Sequence, residues 1–570
     1  MSEAQRAVVV ETSQGKQTLF VLAQQEGLRV TELLRRHGLP LNTRCGQQGV
    51  CDGCVIELVE GSLADIQTNQ PITAAQAAGP LHGCRHRLEG DAPVLLRIPE
   101  RSMMAYEPQV LSDFRINIPR AHAPLWRTGD QHHQPTTGSP LGVAIDIGTT
   151  TVALLLVELA TGKILAKASG FNKQMNLGDD VLTRINLCMN DESLVGRLHE
   201  AIVNETLSEL LDAAVREAGV QRERVVCLAA AGNATMMHLL ADVNPASMGV
   251  APFDAVFLDH RIMPLSQTAF AWPQRHDAPL NGAAPRDPLL HLLPSAAAYI
   301  GSDLTAGVIA SALLYDQGPS LLVDIGTNGE IILKHHDRML GCATAAGPAF
   351  EGARLTDGVR AGRGAVSHIR LDADAKQVRT EVIGDAKPIG ICGSAYIDFL
   401  AEGARTGMLS SSGRFQAEPD SPWQKRLMTM ERGGRGFRVT RAAGSRPICI
   451  TESDIATLLQ AKAAIAAGIV TLLQRVGMQA SEVKTLYLAG GFGMHVNIES
   501  AIGAGLLPGF RRDQIELVGN TSLAGAYLAL LDEGVVQEMS HVSRSLEVVE
   551  LNLDPNFESQ FIDQLSLGPA

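Results

Sequence analysis

Residues 142–170, "GVAIDIGTTTVALLLVELATGKILAKASG", read as strand, glycine turn, strand, turn, strand, and residues 320–347, "SLLVDIGTNGEIILKHHDRMLGCATAAG", read the same way. Apolar runs of strand length separated by short glycine-bearing turns are the signature of a β-meander. Each copy opens on Asp-Ile-Gly-Thr, once at Asp146 and again at Asp324. Self-similarity of this kind implies a duplicated domain whose halves face each other. Helical patterns lie between the copies, such as "ESLVGRLHEAIVNETLSELLDAAVREAG" (192–219). A later helix opens "TESDIATLLQAKAAIAAGIVTLLQRVG" (451–477), where Thr451 and Asp454 have capping-box spacing.

The two turns carry chemistry as well as topology. A tight glycine turn between strands exposes backbone amides and threonine hydroxyls that can cradle phosphate oxygens. An aspartate at the end of a buried strand can hold hydrated Mg²⁺. Asp146-Ile-Gly148-Thr149-Thr150-Thr151 and Asp324-Ile-Gly326-Thr327-Asn328-Gly329 supply both features twice. A third element, "TLYLAGGFG" (485–493), is a strand running into Gly490, Gly491 and Gly493, where an adenosine could lie against bare backbone. The chain has neither a Walker-type Gly-x4-Gly-Lys-[Ser/Thr] nor a Gly-x-Gly-x-x-Gly after a strand, so the nucleotide reading rests on the ordered set of three turns.

The chain is long for one core, and its 570 residues lead us to expect three or four domains. A net charge of −13 repels nucleic acid and anionic membranes, so neither is expected as a partner. The start, "MSEAQRAVVV", lacks a basic-apolar-small signal, and the apolar run "AKAAIAAGIVTLL" reads as too short and alanine-rich to span a bilayer. A cytoplasmic protein is expected. Cys188, Cys227, Cys342, Cys392 and Cys449 are scattered and read as buried small hydrophobes.

The other four cysteines are not scattered. "RCGQQGVCDGC" (44–54) gives Cys45-x5-Cys51-x2-Cys54, and Cys84 follows after a further 29 residues inside "LHGCRHRL". Around them, "AVVVETSQGKQTLFVLA" reads as a strand pair and "VTELLRRHG" as a short helix capped by Thr31. "CVIELVEG" and "APVLLRI" read as strands, and "PITAAQAAG" as a short helix opened by Pro71. Structural zinc usually takes two separated short-spaced couples, whereas three ligands in one loop with a distant fourth suit a 2Fe–2S ferredoxin. The x5 first gap resembles the adrenodoxin and putidaredoxin branch. A zinc site or four unmetallated thiols is the alternative. Residues 99–141 read as a proline- and histidine-bearing linker, with His132 and His133 as a solvated pair.

The ordered turns resemble the acetate-and-sugar-kinase, heat-shock-chaperone and actin (ASKHA) superfamily. In detail the chain is similar to the ferredoxin-fused, ATP-dependent reductive activators of corrinoid enzymes. The similarity is carried by "AAGNATMMHLL" (230–240), "DIGTNGE" (324–330), "AAGPAFEGA" (345–353), "GICGSAYID" (390–398), "LAGGFG" (488–493), "NIESAIGAGLLP" (497–508) and "GNTSLAGA" (519–526). It implies a multidomain α/β and α+β protein, with an N-terminal β-grasp 2Fe–2S ferredoxin domain (1–98) and a linker (99–141). Duplicated RNase H-like ASKHA ATPase lobes would follow at 142–315 and 316–570. It also implies roles. Cys45, Cys51, Cys54 and Cys84 would hold the cluster, and Asp146 and Asp324 would serve Mg²⁺ and orient water. Glu330 would position the attacking water. Gly148, Thr149, Thr150, Gly326, Thr327 and Asn328 would hold phosphates, with the Ala346–Gly347 turn also at the nucleotide. Gly490, Gly491 and Gly493 would hold adenosine. The implied partner is a corrinoid protein whose cobalt is reduced from Co(II) to Co(I), served by a low-potential electron donor, and the implied assembly is a homodimer. The alternative is a small-molecule kinase with a fused redox-sensing ferredoxin domain. A radical-dehydratase activator and a redox-sensing, chaperone-like ATP switch are further rivals.

Overall fold

The computed structural model describes residues 5–568 except 13–14, 23–24, 26, 38, 40, 42–46, 48–53, 78, 91, 100–101, 104–113, 115–122, 127–137, 179, 271–286, 375, 417–420, 422, 431–433, 443–445 and 494. Cys45, Cys51 and the His132–His133 pair therefore lie outside the described residues. The chain divides into two compact units, one of residues 1–107, 351–396 and 417–457 and the other of 108–350, 397–416 and 458–570.

In the first unit, the N-terminal residues build a five-stranded sheet. Its order is Gly15–Leu22, Gln5–Thr12, Val94–Arg97, Val55–Glu60, Leu81–His82. Alternation in Gln5–Thr12 turns Val8 and Val10 into a core shared with Leu33, Leu34, Ile56 and Leu96. Two expectations fail here. The Val30–Arg36 helix takes Arg29 as its N-cap residue without a side-chain bond, and Thr31 is buried inside the helix, donating to Gln47 Oε1 at 3.0 Å. "PITAAQAAG" is not a helix: Pro71–Thr73 pairs antiparallel with Ser62–Asp65, and Gln76 then accepts from the Thr73 amide and hydroxyl. A lone helical turn is costly to nucleate, and proline is tolerated at the start of an edge strand.

The later residues of this unit form two three-stranded sheets, Gln377–Val382, Ala365–Asp372, Gly390–Ile391 and Leu427–Thr429, Arg435–Arg441, Pro447–Thr451. Buried Asp357 ties this region together by accepting from Arg446 at 2.6 Å and from the Cys449 amide at 2.7 Å. The capping box at 451–454 is present: the Asp454 amide donates to Thr451 Oγ1 and the Thr451 amide to Asp454 Oδ2. Asp454 also accepts from the amide and hydroxyl of Thr356.

The second unit contains the two copies of the repeat as two six-stranded sheets. The first runs Lys163–Phe171, Thr151–Glu158, Leu141–Ile147, Val225–Gly232, Leu289–Leu292, Arg261–Pro264. The second runs Ile515–Gly519, Thr485–Ala489, Ser320–Ile325, Gly329–His335, Arg338–Thr344, Leu546–Val548. In both, an antiparallel three-stranded meander begins with the Asp-bearing strand, and that strand pairs in parallel with a later one. The two aspartate strands thus sit centrally in equivalent positions.

The helices Ser302–Ala310 and Thr521–Leu531 cross at their small residues. A Cβ on Gly525 would fall 2.4 Å from the Ala306 Cβ, and one on Gly307 3.0 Å from Thr521 Oγ1. Apolar surface from both sheets closes over this pair. The 192–219 pattern is helical, as Ser193–Ile202 and Glu209–Ala218 joined by one wider turn, and Gly219 ends it at φ 64°. The run 461–473 lies within a 24-residue helix, Glu452–Arg475, that is long and apolar enough to cross a membrane, which corrects the expectation from length. The most apolar window of that helix is 78% buried, so its apolarity serves a protein core. All five scattered cysteines are buried.

Asp454→Ala removes the acceptor for three donors at once. It is expected to cost about 2 kcal/mol of local stability and to speed hydrogen exchange at the Thr356 and Thr451 amides, read by exchange mass spectrometry.

Candidate functional site

The site is built where the aspartate strands of the two sheets end. Asp146 lies next to last in Leu141–Ile147 and Asp324 next to last in Ser320–Ile325. Glu330 stands directly across the ladder from Asp324. A fourth carboxylate, which sequence reasoning missed, belongs to Asp303 in the first turn of the Ser302–Ala310 helix. Ser302 Oγ bonds the Gly232 backbone and anchors that helix start at the end of the strand beside Asp146. Asp303 ends "YIGSD" (299–303) in the sequence, and its signal there is an acidic residue at a helix start.

These four groups titrate as neighbours. Burial, then the charges of Asp324 and Asp146, push Asp303 up to about 8. Burial and Asp146 push Asp324 up to about 7. Glu330 is held well above the usual carboxylate range by burial and by Asp303 and Asp324. Burial also raises Asp146, opposed by hydrogen bonds from Ser522 and Asn520. Like charges withdrawn from water need protons or a cation between them. Oxygen donors alone suit Mg²⁺. Among the described residues no three acidic, histidine or cysteine side chains form a group that could hold a metal ion by themselves.

The first turn is held rigidly. The Gly148 amide donates to Thr151 O at 2.9 Å, and a Cβ at Gly148 would sit 2.7 Å from that oxygen. Asn172 Nδ2 donates to Gly148 O, Asn233 Nδ2 to Thr149 Oγ1, and fully buried Arg184 to Thr149 O. Arg184 is itself fixed by Gly178 O and Gln174 Oε1. Thr149 and Thr150 are consequently buried, with 5% and 6% exposure. The second turn is open. Gly326, Thr327 and Asn328 are half-buried, and a Cβ at Gly326 would meet nothing nearer than 3.8 Å. Asn328 hydrogen-bonds Glu330.

The third turn abuts the second sheet's aspartate. Thr485–Ala489 runs parallel to Ser320–Ile325, and Gly490 follows at φ 87°. A Cβ there would lie 2.5 Å from Asp324 Oδ1 and 2.6 Å from Ile325 O. Gly490–Gly493 make one helical turn, and Gly491 faces open space. Ala346–Gly347 leaves the sheet just beyond Thr344, the cross-strand partner of Gly329, and so lies at the same end as Asp324 and Glu330.

The cysteines belong to the other unit. Cys54 and Cys84 are buried, and the Gly83 amide donates to Cys54 O at 2.8 Å. With Val55 paired to His82, this seats Cys54 and Cys84 beside each other at the end of one strand pair. Gln47, which lies between Cys45 and Cys51 in the sequence, is tied to the Val30–Arg36 helix by Arg29 and Thr31.

Two outcomes follow from this geometry. Asp303 and Asp324 hold protons in the metal-free fold to about pH 8 and 7, whereas unfolded carboxyls release them near 3.8. The native state therefore binds more protons between about pH 4 and 8, and stability falls as pH rises through that window. Thermal melts of metal-free protein are expected to drop by a few degrees from pH 6 to pH 9, with the slope flattened in Asp303→Asn. Gly490→Ala forces a Cβ onto Asp324 at a left-handed φ, with a cost of about 1–3 kcal/mol. Mg-nucleotide binding, read by calorimetry, is expected to be lost.

Residues 318–569 match a family model described as the C-terminal domain of RACo, the ASKHA domain, and residues 141–316 match the RACo middle region. The chain is 31% identical to the corrinoid activation enzyme RamQ of Eubacterium limosum over 439 residues, covering 75% of this chain and 70% of that one. It is 24% identical to the [Co(II) methylated amine-specific corrinoid protein] reductase of Methanosarcina barkeri over 455 residues, covering 75% and 76%. Among solved structures, a reductive activator for corrinoid, iron-sulfur protein superposes with a TM-score of 0.69 at 27% identity, covering 98% of both chains. The chain therefore belongs to the family of corrinoid reductive activators that RACo represents, with the RACo middle region followed by the ASKHA domain.

Proposed function

We propose that this protein reactivates a corrinoid protein, transferring one electron to its cobalt so that inactive Co(II) becomes Co(I), with ATP hydrolysed to ADP and phosphate. The observation that carries this reading is the match, over three quarters of the chain, to a corrinoid activation enzyme. The carboxylates between two glycine turns supply the matching chemistry for ATP.

Asp146 and Asp324 would hold a hydrated Mg²⁺, which when bound draws charge from the phosphates. The amides and hydroxyls of Thr149 and Thr150, beside Gly148, would take one part of the phosphate chain, and the amides of Thr327 and Asn328 with the Thr327 hydroxyl, beside Gly326, the other. The rigid first turn suits binding, and the open second turn suits the end where a bond is broken. Glu330, held by Asn328, and Asp303 face the same space. Once their neighbours' charge is neutralised, an ionised Glu330 can accept a hydrogen bond from the attacking water and orient it. Bare backbone at Gly490, Gly491 and Gly493 would receive the adenosine, and the Ala346–Gly347 turn borders it.

Cys45, Cys51, Cys54 and Cys84 would hold a 2Fe–2S cluster, which when bound supplies a one-electron carrier between an external low-potential donor and the cobalt. The burial and adjacency of Cys54 and Cys84 support that ligand set. ATP cannot alter a reduction potential by proximity. It shifts the balance only as far as it binds one complex better than another. We place the protein in the cytoplasm, as a homodimer, with no nucleic-acid or membrane partner.

Anaerobic optical spectroscopy of the reduced protein with a panel of Co(II) corrinoid proteins is expected to show a Co(I) band only with Mg-ATP. Asp324→Asn is expected to slow its growth at least about 100-fold, and Cys84→Ser to abolish it together with the visible absorption of the protein. No Co(I) with any partner, despite a reducible protein that binds ATP, would overturn the proposal.

A further inference from the structure

Asp146 belongs to the first sheet, yet both of its oxygens are claimed by a helix that follows a strand of the second. Asn520 donates from Nδ2 to Asp146 Oδ2 at 2.8 Å, and Ser522 donates from Oγ to Oδ1 at 2.7 Å. The orientation of the Asn520 amide is set separately. Asn520 is the N-cap of Thr521–Leu531, and its Oδ1 accepts the Leu523 amide at 2.8 Å. Only Nδ2 is then left to face Asp146. Both donors are buried, with 9% and 5% exposure.

The helix has little freedom to shift. Gly525 lies against Ala306 with no room for a Cβ, and Ala306 is on the helix whose first turn carries Asp303. The other aspartate is held differently: no hydrogen bond reaches the Asp324 side chain among the described residues, and Gly490 packs directly on it. The two halves of the repeat therefore present one carboxylate that is braced and one that is bare.

A carboxylate offers about four lone-pair directions. The two donors take one on each oxygen and fix the carboxylate plane, so the remaining pair points in a set direction. We propose that Asn520 and Ser522 are positioning residues of the cation site, aiming Asp146 at the water shell of the nucleotide-bound Mg²⁺ and linking metal affinity to the seating of the Thr521–Leu531 helix. This rests on the ATP reading above, and it concerns residues that reading leaves without a role. Partners that orient a metal-site carboxylate typically matter by 10–100-fold in metal affinity.

The test uses the full chain and needs no corrinoid partner. Binding of a fluorescent ADP analogue is titrated with Mg²⁺ in the wild type, Asn520→Ser, Ser522→Ala and Asp146→Asn, and in each of the first two combined with Asp146→Asn. Serine at 520 keeps a good helix cap while its side chain is too short to reach Asp146. Asn520→Ser and Ser522→Ala are each expected to raise the half-saturating Mg²⁺ concentration about tenfold, with metal-free nucleotide affinity changed less than twofold. In the Asp146→Asn background neither is expected to add a further shift, because the two act through Asp146. An unchanged Mg²⁺ requirement in both single variants overturns the proposal, and so does an equal shift in the Asp146→Asn background. Equal weakening of metal-free binding overturns it too, since that outcome means general damage to the pocket. A wild-type chain that binds no Mg-nucleotide at all removes the ATP reading itself, and this inference with it.

Discussion

Four carboxylates, Asp146, Asp303, Asp324 and Glu330, share one small region where strands of two sheets end, and mutual repulsion in poorly hydrated surroundings governs what that region can do. Without a cation the cluster must keep protons at pH values where isolated carboxyls have lost them. With one, the same groups become a dense set of oxygen acceptors. The rest of the second unit arranges this choice. Central placement of the aspartate strand in each sheet brings Asp146 and Asp324 to corresponding ends. Gly490 is bare because any side chain would collide with Asp324. On the proposed function, the binding of a charged nucleotide and the ionisation state of the core of the site would be one equilibrium.

Close approach of helices is the second requirement. Ser302–Ala310 delivers Asp303, and Thr521–Leu531 delivers Asn520 and Ser522, and the two helices touch through Ala306, Gly307 and Gly525. A larger residue at Gly525 would lift the second helix and withdraw its donors from Asp146. The duplicated turns have diverged around this frame. Arg184, Asn172 and Asn233 stiffen the first, while the second is left open beside Glu330. On the proposed function, a rigid first turn would suit holding a phosphate chain and an adaptable second turn its cleavage.

Much of this was legible in the chain. The meanders were visible because strand periodicity and a repeated Asp-Ile-Gly-Thr are local patterns, and the capping box at Thr451 and Asp454 is local too. The segment at Pro71 and the cap at Thr31 were misread because they are short. Over a single turn, propensity is weaker than pairing with Ser62–Asp65 or than the contact of Thr31 with Gln47. The apolar run within 452–475 read as too short to span a bilayer, but the full helix is long and apolar enough, and an apolar core helix and a membrane span share one composition. The 78% burial of its most apolar window is what marks it as part of a core.

The sequence by itself determined which residues could meet phosphate, cation and sulfur, because glycine turns, strand-end aspartates and closely spaced cysteines have chemical meaning within a few residues of chain. Tertiary structure alone decided which groups stand together. Asp303 is an ordinary helix-start acid until the fold sets it among three other carboxylates, and Asn520 is an ordinary cap until its side-chain amide meets Asp146. Partners so distant in the chain leave no local pattern. Their roles come from the crossing of two helices at glycine and alanine, where the backbones can touch.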